Sequence, residues 1–324
     1  MSFLLSLLAV VKGGSFLLVK IIELIDDFKV EQQVQGRKKE YIDLCNWRLR
    51  KWLAYMTEQL DIEDVEQVKP KHIKQFVLYE QNSGQQKAIT INNTLATLRV
   101  FFKFLIEEEY LDESDNPMRR IASLKEVKRV IVTFKDDEVA RILKSVTGET
   151  YYNIRDKLIL ILLFDTGIRV SELCSIKNSD IAREHILIHG KGSKERMIYI
   201  SKTMRKYMRK YEQAKTIRFQ NVQDVSDYYL LDQYADKLHR SRINKILKEH
   251  CQRAGVRKEV RCSPHDCRHY FAQKQLRNGI DVYSLSQLLG HFDTQMTTKY
   301  LRGLEQEDVL ELGKQKSPLN TLKL

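Results

Sequence analysis

The chain has 324 residues, enough for two domains, and its 43% hydrophobic residues and four prolines exclude a disordered protein. Its five cysteines are scattered without a paired CxxC spacing, which excludes a disulfide framework and favours a reducing interior. Residues 1–116 hold 15 Lys and Arg against 18 Asp and Glu (−3), whereas residues 117–324 hold 40 against 25 (+15). This excess indicates a polyanionic partner or, equally, exposed helices whose charge maintains solubility.

The chain begins with an apolar stretch at residues 3–11, which Lys12 and Gly13 interrupt. The stretch is shorter than the roughly 20 residues that span a bilayer, so we expect no membrane association, with a membrane role as the weaker alternative. We expect residues 1–25 to be an apolar helical segment that packs on the body or on a neighbouring subunit. Helical spacing of apolar residues then predicts a helical domain over residues 26–111.

A linker is predicted over residues 112–130, because Asp115, Asn116 and Pro117 form a turn signal. Basic residues follow the turn, and they would suit a strap along a phosphate backbone or a plain solvated connector. These residues are Arg119, Arg120, Lys125, Lys128 and Arg129.

The predicted second domain, residues 131–324, mixes helices with one hairpin. Thr133 is predicted to cap a helix, IRDKLILILLF is predicted to be an apolar helix that stops near Gly167, and RVSELCSI is predicted to be the next helix. HILIHG and RMIYI are predicted to be strands on either side of KGSKE. Further helices are predicted near residues 202–214, 240–253, 266–278, 281–289 and 294–302. The predicted fold is mainly α with a small antiparallel β-sheet (α+β).

The string HDCRH, His265 to His269, permits two interpretations. As a metal site it lacks a glutamate after the first histidine, and a further ligand would have to come from far along the chain. As an anion site it fits better, because Ser263 and Pro264 predict a helix start whose positive end attracts phosphate. His265 and Arg268 would then share one face, with Cys267 and His269 turned toward the core.

Other residues with suitable chemistry lie at predicted turns. Arg169 follows a glycine turn, Lys191 lies in the hairpin tip GKGSKER, and His291 follows Gly290, with Tyr300 nine residues further on. The hairpin tip is not a nucleotide-binding P-loop, because GxxxxGK[ST] is absent. Each residue alone would be an ordinary surface or packing residue.

Together the strings TGIRVSEL, GKGSKER, HDCRHYFA and LLGH followed after eight residues by Tyr resemble the tyrosine recombinases, the phage-integrase family. The resemblance extends from about residue 116 to residue 300, and residues 26–111 more loosely resemble the family's core-binding domain. It implies a site-specific DNA recombinase whose catalytic residues are Arg169, Lys191, His265, Arg268, His291 and Tyr300.

The resemblance also implies a role for each residue. Tyr300 would attack the scissile phosphate to form a 3′-phosphotyrosine, and His265 would assist the proton transfer. Arg169 and Arg268 would neutralise the phosphorane, and Lys191 would protonate the leaving oxygen. His291 would hydrogen-bond a non-bridging oxygen or steady Tyr300, and Glu172 would support Arg169. No metal or other cofactor is required.

The expected partners are double-stranded DNA with an inverted-repeat recognition site and three further copies of the chain, in a homo-tetramer. The expected location is the cytoplasm, on the nucleoid. The candidate DNA contacts are Arg48, Lys51, Lys71, Lys74, Arg119, Arg120, Lys125, Lys128, Arg129, Lys194 and Arg196.

Two features depart from the family pattern, since Val130-Ile131-Val132 replaces the usual second proline and Cys267 replaces the more usual leucine. Two other functions stay open. A topoisomerase-like or hairpin-forming enzyme would use the same chemistry without strand exchange, and a DNA-binding regulator would have lost catalysis.

Overall fold

The structure is a computed structural model that describes residues 19–83, 86–126, 132–190, 195–290, 297, 298, 300 and 314. The chain divides into two compact units, Met1–Lys128 and Arg129–Leu324.

The first unit is a bundle of α-helices around an aromatic core. Trp52 is fully buried, with its ring 6.4 Å from Phe101 and 5.8 Å from Phe102 in edge-on arrangements. On each helix the buried residues recur about every third or fourth position, which places them on one face. The described helices of this unit are α1 (Ile21–Val34), α2 (Lys39–Leu60), α3 (Pro70–Asn82) and α4 (Ala88–Glu107).

α4 is also long and apolar enough to cross a membrane by length and composition, although half of its most apolar window is buried inside the structure. That burial is typical of the core helix of a bundle, so the helix supports no membrane role by itself. α1 begins at Ile21 and continues past the predicted boundary at residue 25, while residues 1–18 lie outside the described part.

The segment predicted as a linker packs on the first unit as far as residue 126. Met118 and Ile121 are buried in the aromatic core. The side-chain amide of Asn92 accepts from the backbone N–H of Leu124 at 2.8 Å and donates to its carbonyl oxygen at 3.0 Å. Lys128 and Arg129 lie outside the described residues.

The second unit is built around α6, whose residues Leu158 to Phe164 are all buried. A helix that is apolar on every side must be enclosed by other elements. It ends at Gly167, which has φ +60° and no room for a Cβ, since that atom would lie 2.7 Å from Phe271. The described helices of this unit are α5 (Asp136–Lys144), α6 (Tyr151–Thr166), α7 (Val170–Leu173), α8 (Lys202–Phe219), α9 (Arg240–Arg253), α10 (Pro264–Arg277) and α11 (Val282–Leu289).

The predicted hairpin is present as β1 (His185–His189) and β2 (Glu195–Tyr199), which pair antiparallel with His189 opposite Glu195. Along β2, Ile198 is buried while Met197 and Tyr199 are exposed. Alternation along the strand therefore directs Arg196 to the same side as Ile198. The tip, residues 191–194, lies outside the described part.

Three predictions about these elements need correction. Thr133 does not cap α5, because its hydroxyl donates to the carbonyl of Asp266 at 2.9 Å and α5 begins only at Asp136. The helix predicted over RVSELCSI is the single turn of α7. The helix predicted near residues 202–214 continues to Phe219. Of the predicted helix 294–302, residues 297, 298 and 300 are described, and all three are helical.

Candidate active site

The start of α10 is fixed by a reciprocal cap. The Ser263 hydroxyl donates to Oδ2 of Asp266 at 2.6 Å and accepts from the Asp266 backbone N–H at 3.4 Å, with Pro264 at the first helical position. Burial alone would raise the pKa of the Asp266 carboxyl, but hydrogen bonds from Ser263 and Arg261 outweigh it and lower the pKa. The predicted helix start is therefore confirmed.

Arg268 is anchored by the carboxyl ends of two helices. Its side chain is buried, with Nη1 donating to the carbonyl of Gly167 at 2.7 Å and Nη2 to that of Leu289 at 2.6 Å. These carbonyls end α6 and α11, where the helix dipole is negative. Burial and then the charge of Arg169 lower the pKa of Arg268 to about 10, while Tyr300 raises it. The guanidinium stays charged at neutral pH.

Arg169 approaches the same end of α11. Its Nη2 donates to the carbonyl of Gly290 at 3.3 Å, the residue after the acceptor of Arg268. Its backbone N–H and its Nη1 donate to the two carboxylate oxygens of Glu172 at 3.0 and 2.8 Å. The structure thus brings two guanidinium groups to adjacent carbonyls immediately before His291, which itself lies outside the described residues.

Glu172 is a buried carboxylate held by two arginines. Besides Arg169 it accepts a two-pronged contact from Arg196, Nη1 to Oε1 at 3.0 Å and Nη2 to Oε2 at 2.7 Å. Burial alone would raise the pKa of Glu172, but Arg196 and then Arg169 lower it, so the carboxylate is ionised at neutral pH. Glu172 therefore binds Arg169 directly, in keeping with the supporting role that the resemblance implied for Glu172.

Tyr300 is buried beside two stacked imidazoles. The rings of His265 and His269 are parallel within 11° at 4.5 Å, and His269 meets the Tyr300 ring edge-on at 5.1 Å. Burial and then His265 lower the pKa of His269 to about 4, so this imidazole is neutral under physiological conditions. Through its charge, Tyr300 also raises the pKa of Arg268.

This geometry favours the anion interpretation of HDCRH over the metal interpretation. The two histidine rings stack, whereas metal ligands would converge on a point. Within the described residues no group of three or more His, Cys, Asp and Glu is arranged to hold a metal ion. Cys267 and His269 are buried, as expected, and His265 is exposed.

The remaining predicted residues fall into three groups. Lys191 and Lys194 lie outside the described part, as do Lys128, Arg129 and His291. Arg48 donates to the Thr97 hydroxyl at 3.2 Å, and Lys51 forms an ion pair with Glu80. The exposed candidates for DNA contact are Lys71, Lys74, Arg119, Arg120 and Lys125.

The prediction that Arg196 contacts DNA needs correction. Its side chain is only 10% exposed and both terminal nitrogens bind Glu172, so it faces the interior rather than a DNA backbone. The signal that would have found this is the strand alternation, because Arg196 shares a face with Ile198. Sequence reasoning also missed the carbonyl anchors of Arg268, since backbone acceptors leave no residue signature.

Comparison with known proteins follows the same two units. The pattern of the phage integrase family matches residues 132–307, and that of the phage integrase N-terminal SAM-like domain matches residues 46–109. The chain belongs to the phage integrase family. It is a tyrosine recombinase, an enzyme that cuts and rejoins DNA, and the predicted family and α+β fold class are confirmed.

Its relatives include tyrosine recombinase XerD of Listeria monocytogenes serotype 4b (strain F2365), which is 30% identical over 281 residues, 86% of this chain and 93% of the relative. XerD of Oceanobacillus iheyensis is 31% identical over 257 residues, covering 78% and 84%. Among solved structures, a XerH recombinase on palindromic difH DNA superposes with a TM-score of 0.70 at 19% identity, covering 90% of this chain and 83% of that one. A lambda integrase tetramer on a Holliday junction gives 0.69 at 17% identity, covering 90% and 80%.

Proposed function

We propose that this recombinase cuts and rejoins duplex DNA at paired specific sites through a 3′-phosphotyrosine on Tyr300. The observation that carries the proposal is the convergence of two anchored guanidinium groups beside a buried tyrosine. Arg169 and Arg268 each bind a carbonyl at the end of α11, and Tyr300 raises the pKa of Arg268. Fixed positive charge at the point where negative charge develops is the strongest form of transition-state stabilisation.

In the proposed reaction the Tyr300 oxygen attacks the scissile phosphorus and the bond from phosphorus to the 5′ oxygen breaks. The phenol proton passes to His265, and Lys191 gives a proton to the leaving 5′ oxygen. Arg169 and Arg268 bind the non-bridging oxygens as the fifth ligand forms. Rejoining reverses the sequence with a 5′ hydroxyl from the partner strand, so the phosphodiester count is unchanged and no energy source is consumed.

The stacked histidines support the role proposed for His265. The His269 ring fixes the plane of the His265 ring, and because His269 is neutral it adds no positive charge against a protonated His265. His265 itself is exposed, which leaves it accessible to DNA in the proposed reaction. The roles of Lys191 and His291 rest on the family pattern, in which His291 contacts a non-bridging oxygen or steadies Tyr300.

The assembly proposed is a homo-tetramer on two DNA sites that each carry inverted repeats about a short spacer. Support comes from the relatives, since one neighbouring structure is a tetramer on a Holliday junction and another holds a palindromic substrate. The proposed location is the cytoplasm, on the nucleoid. Integration, transposition and resolution of a replicon or mobile element would all use this chemistry.

A covalent-trapping experiment tests the nucleophile. Duplexes with inverted repeats are selected from a random library by binding to the protein, nicked near the scissile phosphate, and incubated with wild type and Tyr300→Phe. We expect both proteins to bind with similar affinity, and only the wild type to form an adduct that survives denaturing electrophoresis.

The matched control is Tyr283→Phe, which changes a tyrosine of α11 that is 66% exposed, and it should form the adduct at the wild-type level. Adduct formation by Tyr300→Phe would assign the nucleophile to another residue. Mixing two marked duplexes then separates strand exchange from simple relaxation.

A further inference from the structure

We propose that Arg196 is a positioning residue for the cleavage reaction, which holds Glu172, and through it Arg169, against the carboxyl end of α11. The inference deepens the proposed function and rests on it. It starts from three hydrogen bonds. Nη1 and Nη2 of Arg196 bind the two oxygens of Glu172 at 3.0 and 2.7 Å, and Nε donates to the Leu288 carbonyl at 3.0 Å.

The contact between Arg196 and Glu172 determines how firmly Arg169 is held. Glu172 is buried, and it is the acceptor for both the backbone N–H and Nη1 of Arg169. A buried carboxylate that loses one of two cationic partners either takes up a proton or moves toward water. Either change removes an acceptor from Arg169, whose own side chain is 38% exposed and therefore free to swing. Arg196 thus fixes a guanidinium that it does not touch.

The same side chain supports the turn that leads to His291. Gly290 has φ +64°, and a Cβ there would lie 2.9 Å from Cδ and 3.0 Å from Nη1 of Arg196. The arginine therefore lies directly against the turn, with Leu288 bonded to its Nε. One side chain on β2, the strand after the Lys191 tip, links that hairpin to α7 and to the end of α11.

Arginine is required for this arrangement. Its planar fork matches a carboxylate with two parallel bonds while a third N–H points elsewhere, whereas a lysine ammonium acts as a single point charge. All three nitrogens of the fork donate inside the protein, which distinguishes Arg196 from the exposed Lys71 and Arg119.

The test separates positioning from DNA contact. We compare Arg196→Met and Arg196→Lys with wild type for site affinity over a salt series and for the rate of covalent adduct formation at saturating DNA. We expect affinity within about twofold, an unchanged salt slope, and an adduct rate that falls by roughly 10–100-fold, as when the partner that orients an active-site ligand is lost. Arg196→Lys should recover only a small part of the rate.

The pH profile gives a readout that a general loss of structure would not. Among the described residues, Arg169 and Arg196 form ion pairs with Glu172, and Arg268 interacts with its charge. Without Arg196, burial raises the pKa of Glu172, so the adduct rate of Arg196→Met should gain an acid-side fall at a pH where the wild type shows none. Arg196→Met with Glu172→Gln removes both partners, and it should lack that fall and be no slower than the single variant.

Two results would overturn the proposal. One is a weaker affinity with a salt slope smaller by about one and an unchanged adduct rate, which is the signature of a lost phosphate contact. The other is a wild-type pH profile in Arg196→Met.

The control Arg205→Gln also removes one positive charge, from a side chain that binds the Arg183 carbonyl, and should keep the wild-type adduct rate. Failure of wild type itself to form an adduct would instead remove the proposed function.

Discussion

The two units of this protein bury different kinds of side chain. The interior of the first unit is aromatic, with Trp52 and Phe101 fully buried. The second unit also has an apolar core, but it encloses Glu138, Asp266 and Arg268, each no more than 4% exposed. In the first unit the buried carboxylate Glu80 pairs with Lys51, whose side chain is still 33% exposed.

The difference shows what each interior does. Apolar contacts are non-directional, so an aromatic core stabilises a helix bundle without fixing any one polar group. Buried ions are costly to desolvate unless each is paired with good geometry, and the pairing then fixes their direction. In the second unit such pairing gives Arg169, Arg268 and Glu172 defined orientations. Stability in the two units should therefore respond differently to mutation and to pH.

The largest effect is expected in the first unit. Trp52→Ala should lower its free energy of unfolding by about 3–5 kcal/mol, because a fully buried indole leaves a cavity. The loss should be the same at pH 5 and pH 8, since no ionised group is involved. Hydrogen exchange of the α2 and α4 amides at the two pH values measures it.

The chain supplies a matched control, because its other tryptophan, Trp47, is 55% exposed. Trp47→Ala should cost less than about 1 kcal/mol. A loss for Trp52→Ala that changed strongly with pH would mean that ionic contacts also govern this unit.

Local signals made much of the second unit predictable. Gly167 ends α6, Ser263 and Pro264 begin α10, and the two β-branched runs form the hairpin. Each of these depends on residues within a few positions of one another, so the sequence carries the whole cause. The family was likewise recognised from the joint pattern of the proposed catalytic residues, without coordinates.

Besides the two misjudged helix lengths, the errors concern contacts between distant parts of the chain. Thr133 looks like a local cap, but its partner Asp266 lies 133 residues away. Arg196 looks like a solvated hairpin residue, but its Nε partner lies 92 residues away at Leu288. The first contact depends on where α10 lies against the segment before α5, and the second on how α11 packs on β2, and no spacing in the sequence reports either.

The second prediction concerns an ion pair in the second unit. Arg257 binds both oxygens of Glu138, Nε to Oε1 at 2.8 Å and Nη2 to Oε2 at 3.1 Å, and Glu138 also accepts from the Lys135 N–H. Burial alone would raise the pKa of Glu138, but the hydrogen bonds from Arg257 outweigh it and lower the pKa from 4.5 to about 2. A depressed folded pKa stabilises the protein above pH 4.5, and that stabilisation is lost as the pH falls toward 2.

Glu138→Gln should therefore lower the free energy of unfolding by about 2–3 kcal/mol at pH 7 and by much less near pH 3. Urea denaturation at both pH values measures the difference. Glu149→Gln is the control, since the Glu149 side chain is 82% exposed and should change stability by less than about 1 kcal/mol at either pH. An equal loss at pH 7 and pH 3 would show that the Glu138 charge contributes nothing beyond its packing.

The smallest effect is expected at the loop end of the hairpin, where His189 pairs with Glu195, and it has the opposite pH dependence. His189 lies between two carboxylates, with Nε2 3.0 Å from Asp180 and Nδ1 3.0 Å from Glu195. The hydrogen bond to Asp180, with a smaller contribution from Glu195, raises the pKa of His189 above its usual 6.5. A raised folded pKa stabilises the protein fully below pH 6.5, and that stabilisation is lost as the pH rises through the folded value.

Because the imidazole is half exposed, His189→Gln should cost no more than about 1 kcal/mol at pH 6 and almost nothing at pH 9. The control is Glu195→Gln, which removes one partner and should reduce the pH 6 stability by less. A larger loss at pH 9 than at pH 6 would mean that neutral His189 is the stabilising form. The Glu138 pair, which weakens in acid, and the His189 pair, which weakens in base, would then no longer differ in the sign of their pH dependence.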